Sequence, residues 1–363
     1  CRGFMTNNNM GEILLTIAIP TFNHSKELYS QLHSINSILS ETKISKNVEV
    51  LVSDNCSTDS TSDVTKEFSL IEKSYKFTSI RNSKNFGGEA NFMSSTLNAS
   101  GRFVWLLSDD DEIRKDSIQY LFEALSSNLD IGFGFINFFF NKGDPQTAIP
   151  ENDNYYSTID DFSLLLLPLI RSGMVSACVF RKSLVSKNDT QKFVELGYPH
   201  MYCALSLAVK SGSLIIEKPL FTIIHPGVHQ TRARAIARAS EETDVCIDHF
   251  LNYHLEFLKF CSSLVDSFSV PFKLRYKLHR IMINESLNQI IFHKITSEKY
   301  DVITIKKAFL FMVKKYYFSP VFWLAHVPVL FFPSFLAKFI EPLRWKFISV
   351  RGYVATILRR ILL

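Results

Sequence analysis

Apolar positions along the first 125 residues alternate between two periods. A β-branched run from Ile13 to Ile19 stops at Pro20-Thr21-Phe22-Asn23, and Leu28, Leu32, Ile35 and Leu39 then recur on one helical face. A second run, Val48 to Val52, ends in Ser53-Asp54-Asn55-Cys56-Ser57-Thr58-Asp59, whose short polar side chains suit the cap of a following helix. Phe77 to Ile80 predicts a third strand, followed by Arg81 to Gly88 and a helix through Asn91, Met93 and Leu97. A fourth strand, Phe103 to Leu107, precedes a helix across Ile118, Leu121, Phe122 and Leu125. Strands alternating with helices predict an α/β fold with a mostly parallel sheet covered on both faces, and such sheets bind ligands beyond the carboxyl ends of their strands. Asp54, Asn85 and the residues after Leu107 all fall at such ends, so the architecture gathers them on one rim.

The fourth strand carries no charge and ends in Ser108-Asp109-Asp110-Asp111. Three adjacent carboxylates repel one another, increasingly as water is excluded, so the cluster calls for a divalent metal, a cationic ligand or a raised pKa. Mg2+ and Mn2+ take carboxylate oxygens and share their shell with phosphate. A solvated acidic turn capping the helix near Asp116 is the alternative.

Four segments, in order and spacing, resemble the family 2 glycosyltransferases, whose nucleotide-sugar domain is the Rossmann-like GT-A fold. They are Ala18-Ile19-Pro20-Thr21-Phe22-Asn23, Val52 to Asp59, Asn85-Phe86-Gly87-Gly88 with Asn91, and Leu106 to Asp111. The resemblance covers residues 13 to 225 and within the family is nearest to bacterial O-antigen and capsule transferases of the abequosyltransferase-like group. It implies a nucleoside-diphosphate-sugar site of Pro20, Thr21, Asn23, Asp54, Asn85, Gly87, Gly88, Asn91 and Asp109. Thr21 and Asp54 fall at positions that contact the base, and Asp109 at the ribose. A divalent metal, Mn2+ or Mg2+, is implied at Asp110, with Asp109 and Asp111 beside it. Asp111 ligates through water or shapes the turn.

Inverting members of the family deprotonate the acceptor with a carboxylate, often in a Glu-Asp pair at a helix start. This chain has Glu195-Leu196-Gly197-Tyr198-Pro199-His200 there and no such pair. By register His200 falls on or beside the expected position, and an imidazole of near-neutral pKa is a competent general base; Glu195 is the alternative. After a strand-like run from Leu214 to Ile224, the segment His225 to Arg234 matches a loop that closes over the donor in family members. His225 is a candidate metal ligand and Arg232 a candidate diphosphate contact. Solvated surface is the competing account of both.

The remainder changes character. Ile247, Leu251, Leu255 and Leu258 recur at helical spacing, and Phe272 to Ile295 continues as helix. Residues 306–363 hold ten Lys or Arg against one acid, a net +9, while the preceding residues hold thirty against thirty-four, a net −4. The overall +5 conceals this division. Aromatics interleave with the tail's cations, a composition that suits the headgroup region of an anionic membrane. Tyr316 to Ala337 lacks formal charge, but Pro320, Pro328 and Pro333 interrupt it, so interfacial or re-entrant helices fit better than a straight span. Long Leu and Phe runs also argue against nucleic acid as the partner.

Six scattered cysteines with no Cys-x-x-Cys pair and no signal peptide favour reduced thiols in the cytoplasm. The expected organisation is a disordered or extraneous segment over 1–12, a GT-A catalytic domain over 13–240, a helical appendage over 241–305 and a membrane-association region over 306–363. The expected function is metal-dependent, inverting transfer of a sugar from a nucleoside diphosphate to a lipid-linked saccharide. The setting expected is the cytoplasmic face of a bacterial inner membrane, peripherally bound. Two alternatives stand beside it: an inactive nucleotide-binding scaffold, and a sugar nucleotidyltransferase, although the glycine-rich loop typical of the latter is missing after the first strand.

Overall fold

A computed structural model describes residues 12–224, apart from stretches between 141 and 198, together with Phe309, Leu310, Val313 and Trp323. The expected appendage over 241–305, and all but those four positions of the tail, lie outside the described residues.

The alternation predicted from the sequence is present. β1 (Leu15–Thr21), α1 (Ser25–Ser40), β2 (Val48–Asp54), α2 (Thr61–Ser69), β3 (Lys76–Arg81), α3 (Gly88–Asn98) and β4 (Phe103–Leu106) follow in order. β1, β2 and β4 are buried along their whole length, which is why they read as unbroken apolar runs. α1 buries Leu28, Leu32, Ile35 and Leu39, the stripe its spacing predicted. β3 is half-exposed and carries Lys76 and Arg81 at the sheet's edge, where charge discourages pairing with another chain.

The second half departs from the parallel pattern. β5 (Glu112–Ile113), α4 (Ser117–Ser126), β6 (Phe133–Phe139), β7 (Tyr155–Ser157), β8 (Cys178–Arg181), α5 (Pro199–Ser211) and β9 (Ser213–Thr222) complete one sheet of order β3-β2-β1-β4-β8-β6-β9-β5, with β7 also on β9. β3, β2, β1 and β4 are parallel, whereas β8 is antiparallel to both β4 and β6. The sheet is therefore mixed, a GT-A-like α/β arrangement rather than the mostly parallel one expected. The reversal has a physical consequence. The start of β8, not its end, lies beside the carboxyl end of β4, so the residues just before Cys178 reach the rim where the acidic cluster stands.

The opposite rim is pinned by a buried charge. Glu49, fully buried on β2, accepts from the Thr16 hydroxyl on β1 (2.7 Å), the Thr78 hydroxyl on β3 (3.0 Å) and the Ser100 N–H and hydroxyl before β4 (2.7 and 3.0 Å). Lys76 lies 2.8 Å from it. Burial alone would raise the carboxyl's pKa, but the bonds from Lys76, Ser100 and Thr16 outweigh it and hold it below the ordinary 4.5. A depressed carboxylate stabilises the fold fully above that ordinary value and loses its contribution as pH falls through the folded-state pKa. Replacing Glu49 with Ala strands five donors, on β1, on β3 and in the turn before β4, and is expected to cost about 3 kcal/mol in urea unfolding at pH 7. Glu49→Gln should flatten the loss of stability below pH 4.5. Equal urea midpoints for parent and Ala variant would show that the network contributes nothing.

Candidate active site

Strand register builds the rim. Thr21 pairs with Asp54 and Asp54 with Arg81, while Ala18 pairs with Leu106, so the polar residues that follow emerge side by side. Asn23, in left-handed conformation at φ 56°, turns the chain out of β1. Its N–H donates to the Ser57 hydroxyl (2.9 Å) and its side-chain oxygen accepts the Thr58 N–H (2.7 Å), joining the loop after β1 to the loop after β2. Asp59 does the capping expected of this segment. It accepts from the Thr61 N–H (3.0 Å) and hydroxyl at the start of α2 and from the Ser25 N–H (3.0 Å) at the start of α1. Burial opposes its ionisation, but the Thr61 and Ser25 bonds prevail and bring its pKa down to about 2.

Asp54 is buried, and both its oxygens are engaged. One accepts the Ser57 N–H (2.8 Å) and the other the Arg81 guanidinium, which also donates to the Ser57 carbonyl (2.7 Å). An imide or amine reaching Asp54 would therefore meet a carboxylate already aligned by Arg81. Beside it, Asn55 donates to the Asn85 side chain (2.7 Å) and the Gly87 carbonyl (3.2 Å), and accepts from the Asn82 amide (3.0 Å) and Phe86 N–H (3.1 Å). Asn91, 3% exposed, bonds Ser53 through both ends of its amide. Asn85 and Asn91 thus shape the loop and fasten α3 to β2. Gly87 adopts φ 89°, where a side chain would be strained, and Gly88 opens α3. Phe22 and Phe86 project at this rim, 38% and 50% exposed.

The three aspartates go to three different partners. Asp109 Oδ1 contacts His24 Nδ1 at 3.1 Å; Asp110 Oδ1 accepts from the Ser108 hydroxyl at 2.5 Å; Asp111 Oδ2 accepts from the Ser176 hydroxyl at 2.5 Å. Ser176 also accepts the Ser108 N–H (2.9 Å), so the residue delivered by the reversed β8 organises the turn. Burial, with the neighbouring carboxylates adding to it, pushes Asp111 up to about 7 against the pull of Ser176. Burial likewise pushes Asp109 up, and His24 pulls it back. The Asp109 bond outweighs the desolvation of His24 and lifts the imidazole to about 9.

Among the described residues, no three His, Cys, Asp or Glu side chains gather into a metal-holding group. Two carboxylate oxygens nonetheless fit a hard cation. Asp109 Oδ2 is buried with only the Thr21 hydroxyl beside it, outside good hydrogen-bond geometry, and Asp110 is half-buried with only Oδ1 engaged. Mg2+ and Mn2+ commonly take one or two protein carboxylates and complete their shell with phosphate and water.

His200, in the first turn of α5, is 2% exposed and lies edge-on to Phe92 with ring centroids 6.1 Å apart. Its Nε2 is 3.0 Å from the Gly173 carbonyl, which can only accept, so Nε2 carries a proton. Gly173 lies three residues before Ser176, which links His200 to the segment that holds Asp111. Glu195, His225 and Arg232 lie outside the described residues.

Residues that sequence reasoning missed complete the site: Arg81, Asn55, His24 and Ser176. Arg81 and Asn55 stood inside segments already marked as strand ends, so their positions gave a signal. Ser176 sits in the apolar stretch Met174 to Phe180, and no local pattern marks it.

Residues 16–187 match the sequence profile of glycosyl transferase family 2. Abequosyltransferase RfbV of Salmonella typhimurium is 28% identical over 230 residues, 57% of this chain and 66% of that protein. The GalNAc(5)-diNAcBac-PP-undecaprenol beta-1,3-glucosyltransferase of Campylobacter jejuni is 29% identical over 120 residues, 33% of this chain and 37% of that protein. The chain thus spans just under two thirds of the first curated relative's length and little more than a third of the second's. The crystal structure of S. aureus TarS 1–349 aligns over 77% of this chain and 80% of that one, at 16% identity and a TM-score of 0.46.

The His24–Asp109 pair is open to direct titration. An imidazole raised to about 9 stabilises the fold fully below its ordinary 6.5, and that contribution is lost as pH rises through about 9. In 15N-edited NMR, His24 should titrate near 9 in the parent and return towards 6.5 in Asp109→Asn. A midpoint near 6.5 in both proteins would show that the pair does not form in solution.

Proposed function

We propose that this chain, whose residues 16–187 match the profile of glycosyl transferase family 2, transfers a sugar from a nucleoside-diphosphate donor to a lipid-linked saccharide in bacterial surface-polysaccharide synthesis. The observation that carries this is the convergence on one rim of the Arg81-aligned Asp54 with an acidic turn that leaves Asp109 Oδ2 and the outer oxygen of Asp110 available. The two curated relatives support the acceptor class: one is named an abequosyltransferase, and the other is named for a diphosphoundecaprenol-linked substrate.

Each residue has a task that its geometry suits. Asp54 accepts hydrogen bonds from the base, with Thr21 beside it. Asp109 Oδ2 takes a ribose hydroxyl or a share of the cation, and Asp110 holds the cation. When bound, a divalent ion supplies Lewis-acid stabilisation of the departing diphosphate. Gly87 and Gly88 keep side chains away from the donor's path. Arg232 and His225, in the sequence segment after β9, add a diphosphate contact and a further ligand. His200 removes the acceptor hydroxyl's proton, with Glu195 the alternative base, and attack opposite the leaving group inverts the anomeric centre.

A thermal-shift and kinetic series tests this assignment. One nucleoside diphosphate among UDP, GDP, CDP, dTDP and ADP should stabilise the parent with Mn2+ or Mg2+, and Asp110→Asn should lose the metal-dependent part. His200→Ala should keep donor affinity while kcat falls about 10^2- to 10^4-fold. Full activity in Asp110→Asn would remove the metal assignment. A His200→Ala protein that loses stability but keeps its kcat would make that histidine structural.

The basic aromatic tail over 306–363 would hold the enzyme at the inner leaflet, where a lipid-linked acceptor resides. Among the described residues, no helix is long and apolar enough to cross a membrane. Truncation after Asp301 is expected to abolish co-sedimentation with vesicles containing anionic lipid. Sedimentation equal to that of the full chain would sink this assignment.

A further inference from the structure

A second cleft, of about 360 Å3, opens between α4 and β7, away from the acidic turn. β9 measures the separation. It pairs with β5 through Phe221 and Thr222 near the acidic rim, and with β7 through Ser213 to Ile215 at the cleft. The six residue steps of strand from Ile215 to Phe221 put the cleft ~20 Å from that rim. It is therefore no part of the donor site.

Three tyrosines form its walls, and each is already fixed. Tyr155 donates its hydroxyl to the Leu164 carbonyl and Tyr156 to the Ser211 carbonyl, both at 3.1 Å. The Asn154 amide donates to the Tyr120 oxygen (3.2 Å), while its own oxygen accepts the Glu217 N–H (3.2 Å). Rings held in this way lose little conformational freedom when a ligand stacks on them. Tyr156 keeps 47% of its surface exposed.

The remaining polar capacity is weighted towards acceptors. Glu123 Oε1 takes the Gln119 amide at 2.6 Å and leaves Oε2 open; the Asn128 amide nitrogen donates to the Ala124 carbonyl at 2.8 Å and leaves its oxygen open. Among the described residues, no Lys or Arg lines the cleft. Lys218 lies over the Tyr120 ring, 4.5 Å from its centroid, and its charge is met by Asp116. A phosphate or carboxylate ligand would face the Glu123 charge without a compensating cation. A neutral, hydroxyl-rich molecule with an apolar C–H face matches both the aromatic walls and the open acceptors. We propose that this cleft is a saccharide-binding site, separate from the transfer site, which grips neutral sugar rings of a glycan while chemistry proceeds at the acidic rim. The choice of glycan as the class of ligand rests on the transferase function proposed above.

Saturation-transfer NMR on the full chain, with free maltose, lactose and chitobiose as probes, tests the site. At least one disaccharide should receive saturation, and a saturating mixture of UDP, GDP, CDP and dTDP should not displace it. Ser127→Trp, which fills the cleft from an exposed helix end, and Glu123→Ala should each weaken binding about tenfold or more without changing Tm. The proposal is overturned if no probe binds, if the nucleotides displace the probe, or if both variants bind as the parent does. Thermal shifts with the same nucleotides separate the two claims. Nucleotide binding without saccharide binding would remove the cleft alone, whereas saccharide binding at the cleft without nucleotide binding would leave it standing and remove the transferase assignment.

Discussion

Thr21, Asp54 and the acidic turn meet because β1 is hydrogen-bonded on both sides to parallel neighbours in fixed register. Slipping either pairing by one residue would turn alternate side chains to the other face of the sheet and scatter the site. The register is secured at the end away from the chemistry. Glu49 reaches across three strands from the second residue of β2, and the Gly101 N–H donates to the same Thr16 hydroxyl at 2.8 Å. Gly101 has to be glycine there, since a Cβ would stand 2.6 Å from the Thr16 nitrogen. A buried carboxylate is a costly way to tie strands together, but several fixed donors around one charge define a single alignment, which apolar packing does less sharply.

The acidic turn obeys a related rule with the opposite outcome. Three neighbouring carboxylates are held apart by giving each a separate partner: an imidazole, the turn's own serine, and a serine from β8. Two of the three are buried and pushed towards protonation, and the third is half-buried with one oxygen turned out of its hydrogen bond. On the function proposed above, a cation arriving with a diphosphate would find a site of graded readiness. Asp110 is accessible, Asp109 has an oxygen outside good hydrogen-bond geometry, and Asp111 is locked to Ser176 and serves the shape of the turn. The sequence allowed Asp111 either task, and the 2.5 Å Ser176 bond favours the second.

How much was legible from the residues follows the range of the interactions involved. β1 to β4 and α1 to α4 announce themselves because period and polarity are local, and their motifs mark the rim before any coordinates. Pairs such as Asp54–Arg81 and His24–Asp109 join residues 27 and 85 positions apart, and no spacing rule reports them. β5, β7 and β8 have two, three and four residues, too short for a periodic signal, and their antiparallel placement is a property of the whole sheet. The expectation of a mostly parallel sheet extended the first half's rhythm into a part of the chain with a different one. Asn85 and Asn91 were marked as donor contacts for the same reason that makes them good scaffolding: amides at a strand end bond whatever is nearest, and here that is Asn55 and Ser53.

The mixed sheet separates two kinds of task. In the parallel half every strand delivers its carboxyl end to the rim, so the proposed nucleotide-binding residues come from loops that also cap helices and cannot vary freely. The antiparallel insertion of β8 brings a strand's beginning to the same rim, and with it a segment, Gly173 to Ala177, that contacts both the acidic turn and the histidine on α5. That segment can couple the state of the donor site to the position of His200, because Ser176 and the Gly173 carbonyl belong to one short stretch of backbone. If His200 is the proton acceptor proposed above, sharing a chain segment with Asp111 places it relative to the leaving group rather than relative to solvent. A displacement requires that placement, since nucleophile, reacting carbon and departing oxygen must lie nearly in line.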